Sequence, residues 1–113
     1  MTDLPLIHVG DLNTEIQVLV QFADLTDVVQ NVAMNTSTSK KISFKDPDYD
    51  LTQTLIGPFD CSFVTNGTDS LVKYITDGTT SIWNKAGVWR WFITYTVPSG
   101  TYSTEDAVRE IIK

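Results

Sequence analysis

The chain of 113 residues contains one cysteine, one histidine and three glutamates, and this scarcity removes most catalytic and metal-binding chemistry. A lone cysteine, Cys61, cannot form an internal disulfide, so we expect a fold that does not depend on oxidation. Nucleophilic catalysis needs a base beside the nucleophile, but the only histidine, His8, lies on a predicted edge strand near the amino terminus. Zinc needs several His or Cys ligands. We therefore expect no enzyme activity and no cofactor.

Basic residues are also few, since eight Lys and Arg stand against 14 Asp and Glu, giving a net charge of −6. Nucleic acids and anionic membranes attract proteins through clustered positive charge, so we expect neither as a partner. The one basic cluster, Lys40, Lys41 and Lys45, alternates with apolar residues, as on the solvent face of a strand. We expect these lysines, with Pro47, to protect a sheet edge from pairing with other chains.

Long apolar runs are absent, and no stretch has the length that a transmembrane helix requires. The first residues show neither the basic nor the apolar region of a secretory signal, so we expect no signal peptide. The length fits one domain spanning residues 1–113. Thr, Val and Ile are abundant, whereas Ala and Glu are rare, and this balance favours strands over helices.

Apolar and polar residues alternate along several segments, which is typical of half-buried strands. The clearest are residues 15–22 and 88–97, and weaker candidates lie at residues 41–45, 52–56, 61–64 and 71–76. The segment 106–112 is predicted as a further strand, although a helix start at residues 103–106 keeps a terminal helix open. Seven or eight short strands separated by turn residues indicate an antiparallel sandwich or a barrel.

Alternate aspartates at Asp46, Asp48 and Asp50 resemble the opening of a calcium-binding loop. The rest of that pattern fails, because Leu51 stands where the loop needs glycine and Gly57 where it needs glutamate. We expect a solvated acidic turn here. The three carboxylates stay weak candidates for a surface calcium site, because they repel each other without a cation.

Three tryptophans could either fill the core or bind a partner. Trp89 and Trp91 share one face of a predicted strand with Ile93 and Val97, which favours the core. Trp83 lies in polar surroundings, so it is a weak candidate for a contact with a partner.

The order of the motifs resembles that of small immunoglobulin-like virion proteins of tailed bacteriophages, and is similar to the amino-terminal domain of phage upper-baseplate proteins. The residues that carry this resemblance are Gly10-Asp11, the strand at residues 16–22, Lys41-Ile42-Ser43-Phe44-Lys45-Asp46-Pro47-Asp48, Tyr74-Ile75-Thr76-Asp77, Ile82-Trp83 and Ala86-Gly87-Val88-Trp89-Arg90. The resemblance implies an immunoglobulin-like antiparallel β-sandwich and supplies no catalytic residues.

The same resemblance implies a non-enzymatic structural component of a bacteriophage particle: a head decoration, neck, tail or baseplate protein. Its partners would be other virion proteins in a symmetric assembly, and it would reside in the virion after synthesis in the host cytoplasm. The alternative is a β-sandwich module that binds carbohydrate or a cell surface, such as a host-surface glycan, through Trp83 and the acidic loops. Exposed coplanar aromatic rings would distinguish that module.

Overall fold

A computed structural model of the chain describes residues 6–23 and 29–113, without the side chains of residues 22, 23 and 29. Within these residues the chain forms ten strands, one short α-helix and a 3-10 turn at Met34–Thr36. The strands are β1 (Glu15–Leu19), β2 (Gln21–Ala23), β3 (Val29–Asn31), β4 (Ser39–Lys45), β5 (Ile56–Asp60), β6 (Ser62–Phe63), β7 (Leu71–Ile75), β8 (Gly87–Val97), β9 (Gly100–Ser103) and β10 (Ala107–Ile111). The helix α1 is Tyr49–Thr52.

The strands pair antiparallel in three sheets. A three-stranded sheet has the order β1-β7-β6, and a five-stranded sheet has the order β10-β8-β4-β5, with β9 also pairing with β8. The third sheet joins β2 and β3. The prediction of an all-β antiparallel sandwich is confirmed, whereas its immunoglobulin-like identity stays a prediction.

The core forms where the inward faces of the two larger sheets meet. Along β8, the alternate residues Trp89, Trp91, Ile93 and Tyr95 are all buried, as the period-two pattern predicts. On the neighbouring strand β4, Phe44 pairs with Trp91 and its ring is fully buried. The longest predicted strand therefore supplies the centre of the core.

The prediction of seven or eight strands is too low, because β2, β3 and β9 were not predicted as separate strands. The predicted strand at residues 15–22 divides near Val20: β1 pairs with β7, whereas β2 pairs with the unpredicted β3. The long strand β8 is flanked on one side by two successive strands, β9 and β10. Strand β9 escaped prediction because four residues, GTYS, carry too little apolar pattern. The strand predicted at residues 106–112 is confirmed as β10.

The strand predicted at residues 52–56 is wrong. Residues Tyr49–Thr52 form α1, which ends at Gln53 in a left-handed conformation with φ of 54°. The strand β5 begins at Ile56 and continues through Pro58 to Asp60. Proline lacks an N–H, but an edge strand tolerates it because the outward backbone groups need no partner.

The lysine cluster does not protect an edge, so that prediction is also wrong. Strand β4 lies inside the larger sheet, between β8 and β5. Lys41 and Lys45 lie on the outer face, where Lys41 Nζ is 3.9 Å from a carboxylate oxygen of Asp60 and Lys45 Nζ is 2.9 Å from one of Asp106. Lys40 shares the face of the buried Ile42 and Phe44, and its Nζ lies 4.2 Å from the centre of the Phe63 ring. The alternation predicted the face of Lys41 and Lys45, but neither that of Lys40 nor the place of the strand within the sheet.

The segment before β1 is bonded to the end of β10. The N–H of Val9 donates to the carbonyl of Ile112 at 2.8 Å, and the N–H of Ile112 donates to the carbonyl of Ile7 at 2.7 Å. The edge strand predicted at residues 5–9 begins outside the described residues and forms a single parallel bridge, at His8, with Ile112.

Candidate functional site

The acidic turn at residues 46–50 is paired with basic side chains. Lys85 Nζ lies 2.7 Å from Asp48 Oδ2 and 3.5 Å from Asp46 Oδ2, and Arg90 Nη2 lies 3.1 Å from Asp50 Oδ1. The hydrogen bond to Asp48 raises the pKa of Lys85 above its usual value. Lysine and arginine thus supply the cations that the turn requires. No group of three possible metal ligands converges within the described residues, so the weak calcium interpretation gains no geometric support.

The helix α1 lies over the outer face of the larger sheet and displays an apolar side chain. Its Tyr49 ring lies 5.8 Å from the Arg90 guanidinium and 5.2 Å from Lys45 Nζ. These contacts, together with the Arg90–Asp50 ion pair, hold the turn against the sheet. Leu51 points away and is 87% exposed. A single exposed leucine is common on protein surfaces and does not define a binding site.

Trp83 belongs to the core, so the prediction of a partner contact through its ring is wrong. The ring is 0% exposed and packs edge-on against Phe44, at 5.6 Å between centroids, and Trp89, at 5.0 Å. Its indole N–H donates to Thr14 Oγ1 at 3.3 Å, which satisfies the one polar atom of the ring. The prediction that Trp89 and Trp91 fill the core is confirmed. None of the three tryptophans offers a platform for a sugar.

The surroundings of Cys61 and His8 do not favour nucleophilic catalysis. Cys61 is buried between β5 and β6, and burial raises the pKa of its thiol to about 12. The reactive thiolate is therefore scarce at neutral pH. His8 is exposed at the surface, where its backbone N–H donates to Asp11 Oδ2 at 2.9 Å. The glutamates Glu15, Glu105 and Glu110 are exposed.

Among the residues that the structure describes, no strand joins the edge of the smaller sheet at β1 to the edge of the larger sheet at β10, and we call this the open side of the sandwich. A groove of about 720 Å³ lies where β1 of the smaller sheet faces β10 of the larger sheet. This seam groove is lined by side chains that include Leu6, Ile16, Gln17, Trp91, Val108 and Arg109. On the opposite side the chain passes from β5 to β6 through a single residue, Cys61, which ties the two sheets together.

Apolar side chains are displayed at the seam groove. Leu6 is 68% exposed and Val108 is 65% exposed, and both line the groove. Ile16 and Trp91 lie beneath them and are buried. Apolar groups clustered beside a concavity cost free energy in water and favour contact with another molecule. This arrangement was not visible in the sequence, because nothing in the strand pattern shows which strands face each other across the sandwich.

The sheet edges differ in how well they are protected against pairing. Strand β5 contains Pro58, and the edge strand β6 has only two residues. The edge beside β8 consists of β9 and β10, and it is interrupted at residues 104–106, between these two strands. Strand β1 has five residues without proline, lysine or a bulge. No strand within the described part of the chain pairs with its outer side. The β1 edge is therefore the one that is best suited to accept another strand.

The predicted kinship with immunoglobulin-like virion proteins stays a prediction. Comparison with protein-family models, curated proteins and solved structures gives no match. Among residues 6–23 and 29–113, no helix is long and apolar enough to cross a membrane. What the chain does must therefore be inferred from its own surface.

Proposed function

We propose that the chain is a non-enzymatic structural component of a bacteriophage particle and acts through protein–protein contacts. The observation that carries the contact function is the open side of the sandwich, where the seam groove adjoins the unprotected β1 edge. Exposed apolar side chains and an available backbone ladder are the two means by which β-sheet proteins bind other chains.

The assignment to a particle draws on the motif order described above. In particular, Gly87-Val88-Trp89 opens the long strand β8, and Trp89 is buried where a large aromatic residue would serve a sandwich core. A protein that repeats in a symmetric shell needs a stable body and a self-complementary or neighbour-complementary surface. A sandwich with one open side has both features, and a head decoration, neck, tail or baseplate protein would use them alike.

The carbohydrate-binding alternative has weaker support. Such modules display coplanar aromatic rings on an exposed face, but all three tryptophans of this chain are buried. Tyr102 is the one aromatic side chain among the described residues that is more than a third exposed, and its ring leans on that of Tyr95. A lone tyrosine does not form a sugar-stacking platform.

The proposal is tested by measuring the copy number of the chain in purified particles of its source. Quantitative mass spectrometry gives this number relative to the major capsid protein. A ratio near one chain per capsid subunit or capsomer indicates a decoration protein. A few copies per particle indicate the neck, tail or baseplate. Absence from particles overturns the proposal and favours a free binding module.

A further inference from the structure

The backbone of β1 is directed alternately toward β7 and toward the open edge. The N–H of Thr76 donates to the carbonyl of Thr14 at 2.9 Å, and the N–H of Val20 donates to the carbonyl of Ser70 at 2.8 Å. These two pairs continue the β1–β7 register by one position at each end, beyond Glu15–Ile75 and Leu19–Leu71. Hydrogen-bonded partners recur at every second residue of an antiparallel pair. The even-numbered residues of β1 therefore bond to β7.

The odd-numbered residues of β1, which are Glu15, Gln17 and Leu19, direct their backbone N–H and carbonyl groups to the open edge. We infer that this edge binds the same edge of a second copy of the chain, antiparallel, with a two-fold axis at Gln17. This inference rests on the proposed contact function and names its partner. The result is one continuous six-stranded sheet across the two copies.

The arrangement of charges supports this register. A two-fold axis at Gln17 places each Glu15 opposite Leu19 of the other copy and the two Gln17 side chains opposite each other. The three pairs then exchange about six backbone hydrogen bonds. Within the chain Gln17 Nε2 donates to Glu15 Oε2 at 2.8 Å, which leaves its second N–H and its amide oxygen to bond with Gln17 of the other copy. The two Glu15 carboxylates lie roughly 13 Å apart along the strand direction, because four residues separate their positions.

The other edge at the seam groove is less suitable for pairing with itself. A two-fold axis at Arg109 of β10 would place like charges opposite each other, and one at Val108 would place Glu110 opposite Asp106. The end of the same edge is already bonded, since Ile112 pairs with the segment before β1. Strand β1 ends at Leu19, where the chain enters a separate sheet, so Gln17 is the centre of the available ladder.

Sedimentation equilibrium of the full chain over a concentration series tests the inference. We expect a reversible dimer of twice the 12.6 kDa chain mass. Gln17→Lys should raise its dissociation constant at least about tenfold, because the two lysines would face each other. The matched control is Leu51→Lys, an 87% exposed position on α1 outside the seam groove and the β1 edge, which should leave the dimer intact. A monomer throughout, or a dimer that only Leu51→Lys dissociates, overturns the inference.

Disulfide trapping tests the register independently of that charge. Partners in a hydrogen-bonded pair lie about 5.5 Å apart at Cα, within the range that a disulfide spans. Gln17→Cys should therefore give a covalent dimer under mild oxidation. Leu19→Cys, on the same edge, should not, because the introduced residues would be roughly 13 Å apart. Cys61 is buried and serves as an internal control. Equal or faster linkage through position 19 overturns the register.

A failure of either test does not affect the mass-spectrometric measurement of particles. A chain that is present in particles but monomeric in sedimentation retains the proposed function and loses the β1 pairing. A dimer that is absent from particles retains the pairing and loses the assignment to a virion. The two proposals can therefore fail separately.

Discussion

Truncation of Trp83 is the most direct perturbation of the core. In Trp83→Ala the ring contacts with Phe44, Trp89 and Trp91 are lost, and Thr14 Oγ1 loses the indole donor. Loss of a fully buried Trp side chain typically costs about 3–5 kcal/mol, including the cavity that remains. A domain of this size has a total stability of about 6–17 kcal/mol. We therefore expect a folded variant with a large share of its stability removed.

The free energy of unfolding should be measured by urea titration with far-ultraviolet circular dichroism, since removal of a tryptophan alters the fluorescence signal itself. Leu51→Ala is the matched control, because Leu51 is 87% exposed and its truncation should change stability by less than about 0.5 kcal/mol. Trp83→Phe should lie between the two, since it retains a ring against Phe44. A loss below about 1 kcal/mol for Trp83→Ala would refute the placement of this residue at the centre of the core.

Three further predictions concern single side chains. Cys61 should resist thiol reagents in the native protein and react when urea unfolds it, because burial raises its pKa to about 12; rapid native labelling would contradict that burial. Lys85→Met should leave the Asp46 and Asp48 carboxylates close together without their cation, so calcium should raise the melting temperature of this variant more than that of the parent in a thermal titration. The hydrogen bond from the backbone N–H of Thr79 lowers the pKa of Asp77 below its ordinary value of 3.8. The stability that this bond contributes is therefore present above pH 3.8 and is lost as the pH falls through the lowered pKa. Acid titrations of the parent should show a steeper loss of stability than those of Asp77→Ala.

Short-range patterns in the sequence predicted the parts of the fold that alternation determines. The two faces of β8 and the burial of Trp89 follow from a period of two along one strand. The strand predicted at residues 106–112 follows from the same kind of pattern and is present as β10. In each case the residues whose pattern supports the prediction lie within a few positions of the residue or strand that is predicted.

Contacts between distant segments escaped prediction. The cation that neutralises the acidic turn comes from Lys85, 37 residues after Asp48 in the chain. Trp83 has polar neighbours in sequence, yet its ring is buried by Phe44 of β4 and Trp89 of β8. The seam groove likewise depends on β1 facing β10 across the sandwich. Local composition does not contain these pairings, because they are set by the order of strands in the sheets.

If the open side of the sandwich contacts other chains, its backbone should be shielded in the assembled particle. Hydrogen–deuterium exchange tests this directly, by comparing the chain in purified particles with the isolated chain at low concentration. We expect slower exchange in the particle for peptides covering residues 15–19 and 107–111, with little change at residues 56–60. Unchanged exchange at residues 15–19 and 107–111, or protection confined to other strands, would contradict it.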